Sequence, residues 1–217
     1  MEPLLLFVVF VAIAVLGYFG WQAEKRRREE FGQWAAAHGW KYNHQRDPSI
    51  RLRYGFLDRL QVGHSRMGYS LLTGPWQGFR AAAFTFRYTT GSGKNQQTHH
   101  FCVALLHLEQ DFEELRIYPE NMLSRFGQSF GFEDIDFESL EFSRAFTVRS
   151  RDRKFAYDFC HTGMMEFLLE YRDTALELEG DTLALFRNRQ LTAADLEPML
   201  QRLVAIRGQM PEYLFRA

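Results

Sequence analysis

Cysteine is almost absent from this chain of 217 residues, which carries only Cys102 and Cys160. A small secreted domain stapled by disulfides needs more cysteines at closer spacing. Surplus positive charge is missing too: 26 Lys and Arg stand against 27 Asp and Glu, a net of −1. Residues 1–38 hold four of each sign, so residues 39–217 also keep a net of −1. Phosphate-backbone binding draws on a positive surplus, so no nucleic-acid partner is expected. Internal repeats and low-complexity linkers are lacking.

Complete chemical signatures are lacking as well. "GSGKN" at 91–95 fails as a phosphate loop. Tyr88 stands where the first glycine belongs, and Asn95 follows Lys94 where Ser or Thr is needed. "GHSRMG" places its second glycine one position too late for a nucleophile elbow. His99 and His107 share a strand face but lie about 26 Å apart at strand rise, and His100 points the other way. Cys160 and His161 are adjacent, a poor ligand spacing. Asp134, Asp136 and Glu138 alternate without the glycine of a calcium loop. Arg144, Arg149, Arg151, Arg153 and Lys154 form a basic cluster nearby. It reads as partners for those acids, or as a surface for an anionic ligand or acidic partner. No catalytic residue, metal ligand or cofactor is nominated.

What the chain does have is a long apolar start. Pro3 to Ala23 is 21 residues without a charge. As a helix it spans about 30 Å, the thickness of a bilayer's hydrocarbon core. A signal peptide has a basic start and a small-residue cleavage site. This segment starts with Glu2 and ends in Tyr18, Phe19 and Trp21, which suit an interfacial belt. The span therefore reads as a permanent anchor in the lipid bilayer. Lys25, Arg26, Arg27 and Arg28 follow it, and no Lys or Arg precedes it. Positive residues stay on the cytoplasmic side. The expected topology is a bacterial inner-membrane protein with its N-terminus outside and its main domain in the cytoplasm, where both cysteines stay reduced. Glu24/Arg28, Lys25/Glu29 and Arg26/Glu30 are i,i+4 pairs that extend the helix. Phe31, Trp34, Ala35 and His38 continue it as one stripe, and Gly39 ends it. Gly17 and Gly20 are not at GxxxG spacing, so self-association of the span is not indicated.

The organisation is thus an anchor at 1–23, a charged juxtamembrane helix at 24–38 and a soluble domain at 39–217. The 21 phenylalanines in the chain favour a well-buried domain. Strands are expected at 51–60, 62–72, 79–90 and 98–108, with turns at Gly74-Pro75 and Gly91-Ser92-Gly93. "FCVALLHL" is apolar on both faces, as a central strand requires. A short strand at 115–119, helical turns at 121–131 and a strand at 142–150 follow. Two short helices are capped by Asp152 and Thr162, the second with Met165, Leu168 and Leu169 inward. Leu176, Leu178, Leu183 and Leu185 read as a hairpin around Gly180-Asp181. A last helix carries Leu196, Leu200, Leu203 and Val204, ends at Gly208 and Pro211, and starts at Asp195 if Pro198 is to avoid its interior. The fold class is α+β: an N-terminal transmembrane helix, then one domain with an antiparallel β-sheet meander packed with several short helices.

The stretch "ESLEFSRAFTVRSRDRKFAYDFCHTGMMEFLLEY" resembles an uncharacterised bacterial membrane-associated family known only as a domain of unknown function. Glu141, Phe142, Phe146, Val148, Asp152, Ala156 and Thr162 fit its pattern, while Gly163 replaces a usual Pro and Ser143 a frequent Asn. "VGHSRMG" and "LEGDTLAL" are similar in style. The resemblance implies the fold and membrane association and brings no catalytic residues. The expected function is a membrane-anchored binding or scaffolding module with an unidentified protein partner. The alternatives are a tethered hydrolase with a dispersed site, and a domain that docks on lipid headgroups through Lys25–Arg28 and the 144–154 cluster.

Overall fold

The computed structural model describes residues 2–123 and 134–215. The first helix, α1 (Glu2–His38), is unbroken, and Gly39 terminates it at φ +68°. Its apolar first part is long enough to cross a membrane, and none of that stretch is buried. Its last turns are different. Phe31 is fully buried and Ala35 nearly so, within the domain core.

The chain then reverses into β1 (Lys41–Asp47), which opens an antiparallel sheet. β2 (His64–Trp76), β3 (Phe79–Thr90) and β4 (Gln97–Pro119) follow as a meander. β4 is the spine. Its first half pairs with β3 on one edge and its second half with β5 (Phe146–Ser150), while β6 (Ala175–Arg187) runs along the other edge. Both faces of β4 are covered, as its sequence predicts. Cys102, Ala104 and Leu106 face one core, and Phe101, Val103 and Leu105 face the other. Both cysteines are free and buried, and burial pushes the Cys102 thiol up to about 12.

Helices cover the first face: α1 together with α5 (Arg153–Phe159), α6 (Thr162–Leu169) and α7 (Ala193–Gln209). The other face is covered by α2 (Ser49–Tyr54) and a 3-10 turn at Asp58–Gln61. Two further short helices, α3 (Glu120–Leu123) and α4 (Leu140–Ala145), flank β5. Among residues 121–131, only 121–123 lie within the described part, and they are helical.

The expected strand at 51–60 is not formed. Ile50, Tyr54 and Leu57 are buried along its first part, ahead of Arg59 and Leu60 in the 3-10 turn, and Leu52 is 88% exposed. That spacing of four and three is helical, and it overrides the apparent alternation. The expected hairpin at Gly180-Asp181 is one continuous strand. Leu176 and Leu178 are two apart, as are Leu183 and Leu185, and all four face the same core. The odd–even phase therefore slips between the pairs. β4 slips in the same place, because Leu106 and Leu108 share that face with Leu115 and Ile117. The register shifts between His107 and Leu115 record paired bulges, with Gly180 at φ +56° absorbing the bend.

Four caps and boundaries also differ. The segment 142–150 divides, because Ser139 caps α4 by accepting from the Phe142 amide at 3.3 Å. Asp152 caps α5 as expected, 3.1 Å from the Phe155 amide. His161 rather than Thr162 caps α6, and its buried residues are Met164 and Leu168. Thr192 caps α7, with Asp195 folding back to accept the Thr192 amide at 3.0 Å. Pro198 therefore does sit inside the helix, on its exposed face, where the Ala194 carbonyl it leaves unpaired can reach water. Helix α7 also runs through Gly208 to Gln209.

A buried polar network pins the 49–61 segment to the sheet. Glu177 accepts the Asp58 amide at 2.8 Å, the Arg59 amide at 3.1 Å and the Tyr118 hydroxyl at 2.7 Å. Arg116 bridges to Asp58 at 2.6 Å and also to Glu114. Arg59 is 1% exposed, lies against the Phe101 and Phe186 rings and donates to Asn188 at 2.5 Å. Burial raises the Glu177 carboxyl from 4.5 to about 7.

Two predictions follow from this packing. Phe31→Ala costs about 3–5 kcal/mol in urea unfolding of the detergent-solubilised chain, whereas Leu52→Ala costs under about 0.5 kcal/mol. An equal loss at both sites contradicts the helical reading of α2. The second concerns pH. The folded chain holds the Glu177 proton more tightly than the unfolded chain does. This group therefore lowers stability as pH rises from about 4.5 to about 7. Glu177→Gln should flatten unfolding free energy between pH 5 and pH 8, and an unchanged slope refutes the assignment.

Candidate functional site

β1 runs back along α1, so residues far apart in sequence meet in pairs. Phe31 and Tyr42 rings lie 5.5 Å apart, and Trp34 packs on Trp40 and Trp76 at 5.1 Å and 6.1 Å. The Trp40 indole donates to the Pro75 carbonyl at 2.9 Å, and its ring occupies the space a side chain at Gly74 would need. This aromatic joint fixes the helix on the sheet. At the opposite end of β1, the same alignment brings His44 and Arg46 to Glu24 and Arg28.

There the sheet supplies a ladder of cross-strand neighbours. Arg46 pairs with Tyr69, Met67 with Arg87, and Arg87 with His100. Register shifts fall between Asn43 and Arg46, between His64 and Met67, and between Tyr69 and Leu72. Ser65 and Ser70 carry them at φ +52° and +53°. Bulges re-aim side chains at the edge of a sheet. Here they help build a cavity of about 220 Å³ between α1 and the strands.

Three guanidinium groups line it: Arg28, Arg46 and Arg87. Its one carboxylate, Glu24, is already shared by Arg27 at 2.7 Å and Arg28 at 3.1 Å. Arg46 and Arg87 have no carboxylate in ion-pair range among the described residues. Arg27 lies beside the cavity, 5.8 Å from the Tyr69 ring, and is held by Gln190 at 2.8 Å. The Tyr69 hydroxyl and His100 Nδ1 share a hydrogen bond of 3.1 Å. Burial, then the charges of Arg87, Arg27 and His99, lower the His100 pKa below 6.5. Burial raises that of Tyr69. The result is a hollow lined by three guanidinium groups in which burial and neighbouring charge favour the neutral form of the histidine.

The residues singled out from sequence divide. Arg28 lines this cavity and Arg27 borders it, whereas Lys25 and Arg26 turn to another face of α1, around Phe19 and Glu29. All three expected i,i+4 pairs are present: Lys25–Glu29 at 3.9 Å, Arg26–Glu30 at 3.0 Å and Arg28–Glu24 at 3.1 Å. Tyr18, Phe19 and Trp21 are exposed, and the Lys25 ammonium sits 5.7 Å from the Trp21 ring. The 144–154 cluster does not join them. Arg149 pairs with Asp134 at 2.7 Å, Lys154 with Asp158 at 4.0 Å, and Arg144 lines a separate hollow with Asp134 and Asp136.

The histidines serve local packing. His99 bonds Thr90 at 2.7 Å, His107 meets Asp181 at 3.0 Å, and His161 bonds the Gln209 carbonyl at 2.9 Å. Among the described residues no three His, Cys, Asp or Glu gather to hold a metal. "GSGKN" is an exposed hairpin tip.

Sequence reading missed His44, Arg46, Tyr69, Arg87 and His100, yet a signal existed. Between Asp58 and Glu109 the chain has no acidic residue. Residues 39–108 carry nine Lys and Arg against two acids, and residues 109–217 carry 13 against 21. A net charge over the whole domain cancels two opposite halves.

No family model and no curated protein matches the chain. The fold is similar to the crystal structure of the mycobacterial trehalose monomycolate transport factor A, TtfA. The TM-score is 0.62 over 83% of this chain and 90% of that one, at 15% identity. At that identity the likeness is one of fold.

Arg87→Gln should raise the His100 pKa toward 6.5, because it removes the nearest cationic neighbour on the ladder. The titration is read from the imidazole proton resonances, and an unmoved His100 contradicts this electrostatic account.

Proposed function

We propose that the chain is a single-span anchored binding module of a bacterial cell membrane, with its N-terminus outside and residues 39–217 in the cytoplasm. One observation carries this reading. A single helix is wholly exposed along its apolar first part and buried at Phe31 and Ala35 further on. Apolar surface on that scale needs lipid around it. A leader cleaved after Ala23 would have to be cut from a helix docked on its own domain through Arg27 and Phe31. The resemblance of residues 138–171 to a membrane-associated family of unknown function agrees with the same reading. The name of the fold neighbour, a transport factor for trehalose monomycolate, supports a lipid-related role at the membrane surface. Binding is favoured over hydrolysis because the cavity beside α1 gathers three guanidinium groups, the paired donors that hold an anion.

Reporters fused after Ala217 test the topology. A fluorescent protein should mature and alkaline phosphatase should stay inactive. Active phosphatase overturns the orientation set by Lys25–Arg28. A mature chain beginning near Glu24, by mass spectrometry, overturns the anchor.

A further inference from the structure

We infer that the cavity between α1 and the β1–β3 ladder binds the phosphate of an anionic lipid headgroup in the membrane that α1 crosses. The inference rests on the anchor proposed above. Glu24 lines the cavity and is the first residue after the charge-free run. Arg28 lies four residues further, about 6 Å along the helix axis. The headgroup layer adds about 5–8 Å to each side of the hydrocarbon core. The cavity therefore sits at headgroup height and opens beside the span.

Its chemistry suits a phosphate. Guanidinium groups bind phosphate oxygens with paired N–H donors. Arg46 and Arg87 reach the cavity from β1 and β3, on either side of β2, and neither is spent on a carboxylate of the described chain. Glu24 balances Arg27 and Arg28 only in part, so the cluster keeps net positive charge. The charge split strengthens the case. The +7 half of the domain, residues 39–108, supplies the cavity strands, and the acidic half lies beyond it in sequence. A bound anion also relieves the mutual repulsion of the arginines.

The test uses the full chain reconstituted in nanodiscs of equal phosphatidylcholine and phosphatidylglycerol, followed by native mass spectrometry of retained lipid. Phosphatidylglycerol should be retained about thirtyfold or more over phosphatidylcholine. Replacing both Arg46→Gln and Arg87→Gln should weaken that retention roughly thirtyfold, at about 1 kcal/mol per arginine. The pair Arg51→Gln and Arg53→Gln removes the same charge from exposed α2 positions and should change it less than about twofold. Equal loss in both pairs reduces the effect to general charge and overturns the site. Displacement of the lipid by millimolar inorganic phosphate overturns the headgroup assignment in favour of a soluble anion. A chain that stays out of the discs refutes the anchor; one that inserts without lipid preference refutes the cavity alone.

Discussion

Everything in this structure depends on the docking of one helix that is exposed along its apolar first part and buried at Phe31 and Ala35. Helix α1 does not end where its apolar run ends. It continues for four more turns and buries Phe31 and Ala35 in the same core as the central strand. The Trp34, Trp40 and Trp76 cluster then clamps its far end to β1 and β2. A flexible linker would leave the domain free to tumble beside a membrane. A helix held by a buried Phe and three indoles sets its height and tilt instead. The fold carries the same information to every strand, because β1 is aligned on α1 and β2 to β4 are aligned on β1.

That alignment explains how charges of one sign come together without a charged motif. Arg46, Arg87 and His100 are far apart in sequence, and the pairing of four antiparallel strands brings them together as one row of side chains lining the cavity. The helix adds Arg27 and Arg28 to that row. Other basic residues are neutralised close by, as Arg187 is by Asp173 at 2.5 Å and Arg207 by Glu109 at 3.1 Å. Those exposed pairs contribute little to stability and much to local neutrality. The row beside α1 instead gathers several guanidinium groups around one carboxylate, Glu24.

Much of the architecture was legible in sequence because it rests on local rules. The helix to His38, the glycine stop, the central apolar strand, the β3 boundaries and the Asp152 cap each follow from spacing or capping chemistry. The errors share a cause: two structures can write the same local pattern. A phase slip of alternating leucines marks either a turn or a bulge, and only the partner strand decides. β4 slips where β6 slips, so the bulge wins. Ile50, Tyr54 and Leu57 write a helix, while Leu52, Tyr54 and Phe56 write a strand, and burial selects the first. Of the cavity, only Arg28 and its neighbour Arg27 were visible, because they stand in a run. The other members depend on strand register, which composition does not encode. What composition did encode was the acid-free stretch between Asp58 and Glu109, and averaging over the domain erased it.

The neutrality of His100 is the last piece of the site's physics. Three guanidinium groups around one hollow repel each other, and a protonated imidazole on the same ladder would add to that repulsion. Burial and the neighbouring arginines instead lower the His100 pKa and favour the uncharged ring, which shares a hydrogen bond with the Tyr69 hydroxyl. Tyr69 is thereby held in place beneath Arg27, between α1 and β3. A neutral hydrogen-bonded pair thus spaces the cations without screening them. The arrangement keeps positive potential in the cavity and spends no carboxylate of the sheet to hold it there. A purely structural cluster would more simply place an acid on the ladder, as Asp195 does beside Arg187 and Arg189. Among the described residues, the carboxylate that lines the cavity with the ladder is Glu24 of α1, already shared by Arg27 and Arg28.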